Sequence, residues 1–139
     1  MSSNASRGWL AGALVLAALS GSGAGAADRS FGIWRNPSDS VHIRVEPCGA
    51  SMCGVVVWAS DKARDDARRG GTDPLVGARL FRDFVREGDG IWRGRVFVPD
   101  IGKTFSGTVS VIDERRIVGR GCLLARIGCR SQEWTKVHD

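Results

Sequence analysis

The feature that most constrains this chain is a strict alternation of apolar and polar residues, recurring in short segments cut by turns. Val41-His42-Ile43-Arg44-Val45-Glu46 alternates without a break, the period-two mark of a strand with one buried face. In a second segment Phe105, Gly107, Val109 and Val111 share one face, and Thr104, Ser106, Thr108 and Ser110 the other. Asn36-Pro37-Ser38-Asp39, Gly88-Asp89-Gly90, Pro99-Asp100-Ile101-Gly102 and Asp113-Glu114-Arg115-Arg116 stand between such segments. Most of these breaks hold the Gly, Pro, Asn, Asp and Ser that turns need. The strands expected are Ser30–Asn36, Val41–Glu46, Gly54–Trp58, Ala78–Val85, Ile91–Val98, Lys103–Ile112, Ile117–Leu124 and Ser131–Val137. That many short strands, with no long amphipathic helix to cover a sheet, predict an all-β domain. Such chains close into barrels or stack as sandwiches, because an open sheet edge is a liability.

One stretch breaks the pattern. Ser60 to Pro74 (SDKARDDARRGGTDP) has no apolar residue beyond Ala63 and Ala67. It reads as a short charged connector that allows one helical turn at Lys62–Arg68 and stops at Gly70-Gly71. Its acids Asp61, Asp65, Asp66 and Asp73 lie among Arg64, Arg68 and Arg69, which points to exposed ion pairs. An enzymatic role would need Asp61, Asp65, Asp66 or Glu133 grouped in a cleft with a perturbed pKa.

The N-terminus reads as an export signal. Arg7 is the only charge before Asp28, the apolar run Trp9–Leu19 follows it, and Ser20 to Ala27 are all small. Positive region, short apolar region and small-residue cleavage site come in the order of a secretory signal peptide. Ala24 and Ala26 fit the minus-three and minus-one positions, so residues 1–26 are expected to leave and residues 27–139 to form one domain. A spanning helix needs about 20 apolar residues, more than this run supplies. The expected location is the periplasm or the exterior.

Four cysteines, Cys48, Cys53, Cys122 and Cys129, form two local pairs. An even count at close spacing in an oxidising compartment reads as disulfides, Cys48–Cys53 at a hairpin tip and Cys122–Cys129 before the final strand. The four residues Gly49 to Met52 and the four residues Ala125 to Gly128 are expected to be the loops so closed. A zinc site is the rival, but the spacing is not C-x2-C and neither His42 nor His138 is close to a pair in sequence. No metal or other cofactor is expected. The formal charge of +5 loses one with Arg7. Outside the cytoplasm such a basic balance meets anionic envelope polymers rather than nucleic acid.

Searches for catalytic motifs find none: no P-loop, no G-x-S-x-G, no H-E-x-x-H, and no Tyr at all. The expectation is a protein without enzymatic activity. The aromatics say more. Trp34, Trp58, Trp92 and Trp134 fall on four different expected strands, with Phe31, Phe81, Phe84, Phe97 and Phe105. Two roles are open to them, filling a small barrel or lining a cavity for an apolar ligand. Trp58, Trp92, Phe97 and Phe105 are the candidates for the second role.

Several short runs taken together resemble the DUF2147 family of exported bacterial proteins. They are Gly32-Ile33-Trp34, Cys53-Gly54, Val98 to Phe105 (VPDIGKTF), Gly119-Arg120-Gly121-Cys122 and Arg130 to Val137 (RSQEWTKV). The resemblance spans about Ser30 to Val137 and implies an antiparallel up-and-down barrel of lipocalin-like, or calycin, type. In such barrels a first-strand G-x-W Trp packs beneath a basic side chain from the last strand. Gly32 and Trp34 match the G-x-W, Trp134 lies in the matching C-terminal run, and Lys136 stands where the family usually shows Arg. Arg130 is a second candidate for the basic partner.

These observations suggest a binding module, expected to be a monomer, for a small apolar or amphipathic ligand. The alternative is a basic interaction protein that docks on an anionic envelope polymer or inhibits a secreted enzyme.

Overall fold

The computed structural model describes residues 12–15, 29–124 and 127–139, the side chains of 124 and 127 excepted. The expected signal segment and its cleavage point therefore lie outside the described residues, apart from 12–15. Eight strands run β1 (Gly32–Arg35), β2 (Val41–Cys48), β3 (Ser51–Ala59), β4 (Arg79–Gly88), β5 (Ile91–Val98), β6 (Lys103–Asp113), β7 (Arg116–Leu124) and β8 (Ile127–His138). They close into a barrel in sequence order, β1 pairing with β8. Every pairing is antiparallel, so the topology is up-and-down and no edge strand is left open.

Most strands are longer than the alternation suggests, because the hairpins turn more tightly. Cys48 pairs with Ser51 and leaves a two-residue turn, Gly49-Ala50. Gly49 has φ 63°, the left-handed conformation that such a turn requires and that glycine adopts without steric cost. The expected four-residue tip is thus corrected: Ser51 and Met52 belong to β3. The Cys48–Cys53 disulfide bridges diagonal positions, Cα atoms 5.8 Å apart, rather than opposed ones. At the other bridge the expected break before the last strand is also corrected. Leu124 pairs with Ile127, and Cys122 sits directly opposite Cys129, Cα atoms 4.0 Å apart. The disulfide therefore joins two paired strands; Ala125 and Arg126, the rest of the expected break, lie outside the described residues.

The charged connector is a full helix, α1 (Asp61–Arg69), not a single turn. Ser60 caps it by accepting a hydrogen bond from the Ala63 N–H at 3.1 Å. Asp61 lies in the first turn and Arg68 and Arg69 in the last, which suits the helix dipole. Ala67 is buried. At the helix end Gly70 lies against the β5–β6 turn, where a Cβ would come within 2.2 Å of the Asp100 carbonyl. Thr72 Oγ1 donates to Pro99 O at 3.0 Å. Helix α1 is thereby fastened across one end of the barrel. Among the described residues no helix is long and apolar enough to cross a membrane.

The barrel core contains Trp34, Ile43, Val45, Met52, Val56, Phe84, Val109 and Ile117, all almost fully buried. Phe81 and Phe84 are an odd number of residues apart, yet both are buried with rings 5.5 Å apart. The register shifts between Arg82 and Val85, and Asp83 has φ 54°; this bulge resets the alternation and turns both rings to the core. Trp34 Nε1 donates to Ser30 O at 3.0 Å, tying the segment before β1 to the core. Phe31 packs near Trp92, ring centroids 6.3 Å apart.

Candidate functional site

The interior is packed in one half and hollow in the other. At the end that carries α1, the Asn36–Ser40 turn and the β5–β6 turn, a cavity of about 1090 Å³ opens into the barrel. Its size is slightly above the range of about 300–1,000 Å³ usual for small-molecule sites. Phe81 and Trp134 contribute to its wall, ring centroids 6.0 Å apart. The Phe81 ring reaches across to β7, where a Cβ on Gly119 would meet its Cζ at 3.4 Å. Val96, Phe105 and Leu80 add apolar wall.

Strand register explains why space is left here. Gly94, Gly107, Gly121 and Arg130 are paired in succession across β5 to β8. Trp92, Val109, Gly119 and Gln132 form the adjacent inward row. Thus β7 presents glycines where β8 presents Arg130 and Gln132, both of which line the cavity. A Cβ on Gly121 would meet nothing closer than 3.8 Å.

The rim is polar and largely self-paired. Asn36 donates to Ser40 Oγ at 2.9 Å and accepts from the Ser40 and Val41 N–H groups. Asp39 Oδ1 lies 2.6 Å from His42 Nε2. Lys62 binds Asp66 at 2.7 Å, and Arg69 binds it too; the hydrogen bond from Lys62 is the main cause holding the Asp66 carboxyl below its ordinary value of 3.8. Asp100 is pushed the other way, first by burial and then by the nearby Asp66 charge. Asp61, Asp65 and Glu133 are exposed. Among the described residues no group of three or more His, Cys, Asp or Glu could hold a metal ion.

The aromatic candidates separate. Phe105 lines the cavity, and Phe97 borders it where its ring carries the Arg82 guanidinium at 4.3 Å. Trp58 is a correction: it is 43% exposed and packs on the His42 ring at 4.7 Å, outside the cavity. Trp92 is a second one. It is buried core, with Arg86 5.2 Å from its ring, and is not part of the cavity wall. Alternation alone could not rank these rings by depth along the barrel. Phe81, Val96 and Gln132 were missed as cavity residues for the same reason.

At the first strand, Lys136 Nζ stands 5.1 Å from the centre of the Trp34 ring, close enough for a cation–π contact. Gly32 makes the approach possible: it has φ 130°, and a Cβ there would sit 3.0 Å from His138 O and 3.5 Å from Lys136 Cε. Lys136, not Arg130, is the basic partner of Trp34; Arg130 lies six residues earlier on β8 and lines the cavity instead. A family described as an uncharacterized protein conserved in bacteria (DUF2147) matches residues 32–136. The chain belongs to the DUF2147 family. The match includes the G-x-W strand, both disulfides and Lys136. No curated protein matches this DUF2147 chain. Among solved structures it is similar to protein HP1028 from the human pathogen Helicobacter pylori, which belongs to the lipocalin family. The TM-score is 0.61 at 10% identity, covering 79% of this chain and 84% of that one. Likeness at that identity concerns the fold, and the fold is a lipocalin-like barrel.

Proposed function

We propose that this DUF2147 protein is an exported binding module that holds a small apolar or amphipathic ligand in the open end of its barrel. The observation that carries the reading is the cavity of about 1090 Å³ with Phe81, Phe105, Val96 and Trp134 in its wall. Burial of apolar surface there would contribute about 25 cal/mol per Å² toward affinity. Export to the periplasm is part of the proposal. It is supported by the signal-like N-terminus and by two disulfides, which fit an oxidising compartment. The protein is read as a carrier and not an enzyme, since the acids considered for catalysis, Asp61, Asp65, Asp66 and Glu133, are exposed or ion-paired.

Docking of the outer surface on an anionic polymer has weaker support. Arg93, Arg95 and Arg116 are paired with Glu87, Asp83 and Asp113, which reduces the charge they offer a partner. The test uses the exported protein purified from a bacterial periplasm. Solvent extraction and mass spectrometry should find a co-purifying amphiphile, and the neutral fluorophore N-phenyl-1-naphthylamine should bind and be displaced by it. No extractable molecule together with no fluorophore binding would overturn the reading.

A further inference from the structure

The cavity wall is not uniformly apolar: of its two cations Lys62 is ion-paired with Asp66, and Arg130 is the informative exception. Arg130 lines the cavity from β8, on the same face as Gln132 and Trp134. The neighbouring strand presents Gly121 opposite Arg130 and Gly119 opposite Gln132. No side chain from those positions crowds the guanidinium. The other ionised groups around the opening are matched: Asp39 faces Arg35 and His42, and Asp66 faces Lys62 and Arg69. Among the described residues Arg130 makes no ion pair and no side-chain hydrogen bond, and the same holds for Asp100 on the β5–β6 turn. These two are the unmatched charges of the site, one on the wall and one on the rim. Asp100 is the weaker anchor, because burial and the neighbouring Asp66 both disfavour its charged form.

Resting on the binding reading above, we propose that Arg130, with Gln132 beside it, binds the anionic head group of an amphiphile whose hydrocarbon tail lies against Phe81, Val96, Phe105 and Trp134. The chemistry follows from the side chains. A guanidinium offers five N–H donors in a planar fork that matches a carboxylate or phosphate in bidentate fashion. The Gln132 amide adds donors two residues along the same strand face. Arg130 stays exposed to solvent within the opening, so it keeps its charge there and presents an entering anion with a guanidinium that no protein carboxylate already occupies. The tail then takes the apolar wall, where a head group could not be solvated.

The test compares ligands of one chain length that differ only in the head: laurate, dodecyl phosphate, dodecanol and dodecylamine. Each is titrated against bound N-phenyl-1-naphthylamine in the full exported protein and in Arg130→Gln and Arg130→Lys. At least one anion should bind about tenfold or more tighter than dodecanol, equivalent to roughly 1.4 kcal/mol. Which anion wins distinguishes a fatty-acid-like from a phosphate-bearing ligand. Arg130→Gln should abolish the preference while the neutral fluorophore still binds, and Arg130→Lys should keep part of it. Equal binding of laurate, dodecyl phosphate and dodecanol, or a preference that survives Arg130→Gln, overturns the anion site and leaves the cavity reading standing. A preference for dodecylamine overturns it in favour of Asp100. Failure of every ligand and of the fluorophore removes both readings.

Discussion

Trp34 and Trp92 are both buried, but the structure treats their indole N–H groups differently. Trp34 Nε1 donates to Ser30 O, whereas Trp92 Nε1 is buried with no hydrogen-bond partner among the described residues. A made hydrogen bond adds about 0.5–1.5 kcal/mol, while an unsatisfied buried donor costs about 1–3 kcal/mol. Trp34→Phe should therefore destabilise more than Trp92→Phe, by about 1 kcal/mol or more in urea unfolding. The reverse order would show that the indoles are not placed as described. The carboxyls give a second residue-scale expectation. Asp66 is held below its ordinary value mainly by the Lys62 hydrogen bond, and Asp113 mainly by the Arg115 N–H with Arg116 adding to it. Ionised, both favour the folded state; that contribution is present above the unfolded-chain value of 3.8 and is lost as pH falls through their lower folded values. Asp100 has the opposite sign, since its folded value is raised: its ionisation disfavours the fold as pH rises past 3.8. A carboxyl-detected NMR titration should place Asp66 and Asp113 below Asp100, and Lys62→Met should move Asp66 upward. An unchanged Asp66 in that variant would remove Lys62 as the cause. At this scale the Trp34 environment was legible from the G-x-W run, but its partner was not fully so. Lys136 and Arg130 are an even number of residues apart, so alternation puts both inward; only the pairing of Trp34 with Lys136 decides which one reaches the indole.

Helix α1 shows why an element can be hidden in composition. Its buried contribution is Ala67, with Ala63 partly buried against the core, so it carries no stripe of large apolar residues for a periodicity search to find. Its local signals, the Ser60 cap and the ordered charges at its ends, were present but short. Where it stops is a matter of contact. Gly70 has φ −83°, a conformation open to any residue, so on backbone grounds alanine would be favoured there. The close approach to Asp100 reverses that expectation. Gly70→Ala should destabilise by about 1–3 kcal/mol, the usual cost of overpacking, and should loosen α1 from the β5–β6 turn. Faster exchange at the hydrogen-bonded amides of Thr72 and Ile101 would report the loosening; a stabilised variant would show that the helix end does not rest there. The hairpin disulfides act on a different side of the balance. They close loops of sequence separation 5 and 7, so chain entropy assigns each about 2 kcal/mol. Because both bridge strands already adjacent in the barrel, reduction should lower the melting temperature while far-ultraviolet circular dichroism keeps its β signature below the transition. Loss of that signature at room temperature would mean that the bridges hold the topology as well as its ends.

For the whole molecule, alternation and turn residues were enough to indicate all-β closure, and the family resemblance added the up-and-down order. Whether the barrel is filled was not legible, because it depends on how rows line up across strands rather than on any one strand. Trp58 and Phe105 both looked available for a cavity; a bulge between His42 and Ile43 and the stagger of the strands are invisible to a one-dimensional pattern. The consequence is clearest at two glycines that pair directly, Gly107 on β6 and Gly121 on β7. A Cβ on Gly107 would lie 2.4 Å from Val96 Cγ2 and 2.7 Å from the Arg120 carbonyl oxygen, so there the wall is already closed. A Cβ on Gly121 would be 3.8 Å from Val96 Cβ and 3.9 Å from Phe105 Cβ, ordinary contact with the cavity beyond. Neither glycine has a positive φ, so a side chain is excluded or admitted by space alone. Gly107→Ala should therefore destabilise by about 1–3 kcal/mol. Gly121→Leu should be neutral or slightly stabilising, since glycine within a strand costs about 0.5–1 kcal/mol relative to alanine. The added isobutyl group would occupy the space beside Arg130 and against Phe105. N-phenyl-1-naphthylamine should then bind at least about tenfold more weakly, a loss of roughly 1.4 kcal/mol, while urea unfolding stays cooperative. A Gly121→Leu protein that folds and binds the fluorophore as before would place the ligand outside the barrel and end the case for the cavity as its site.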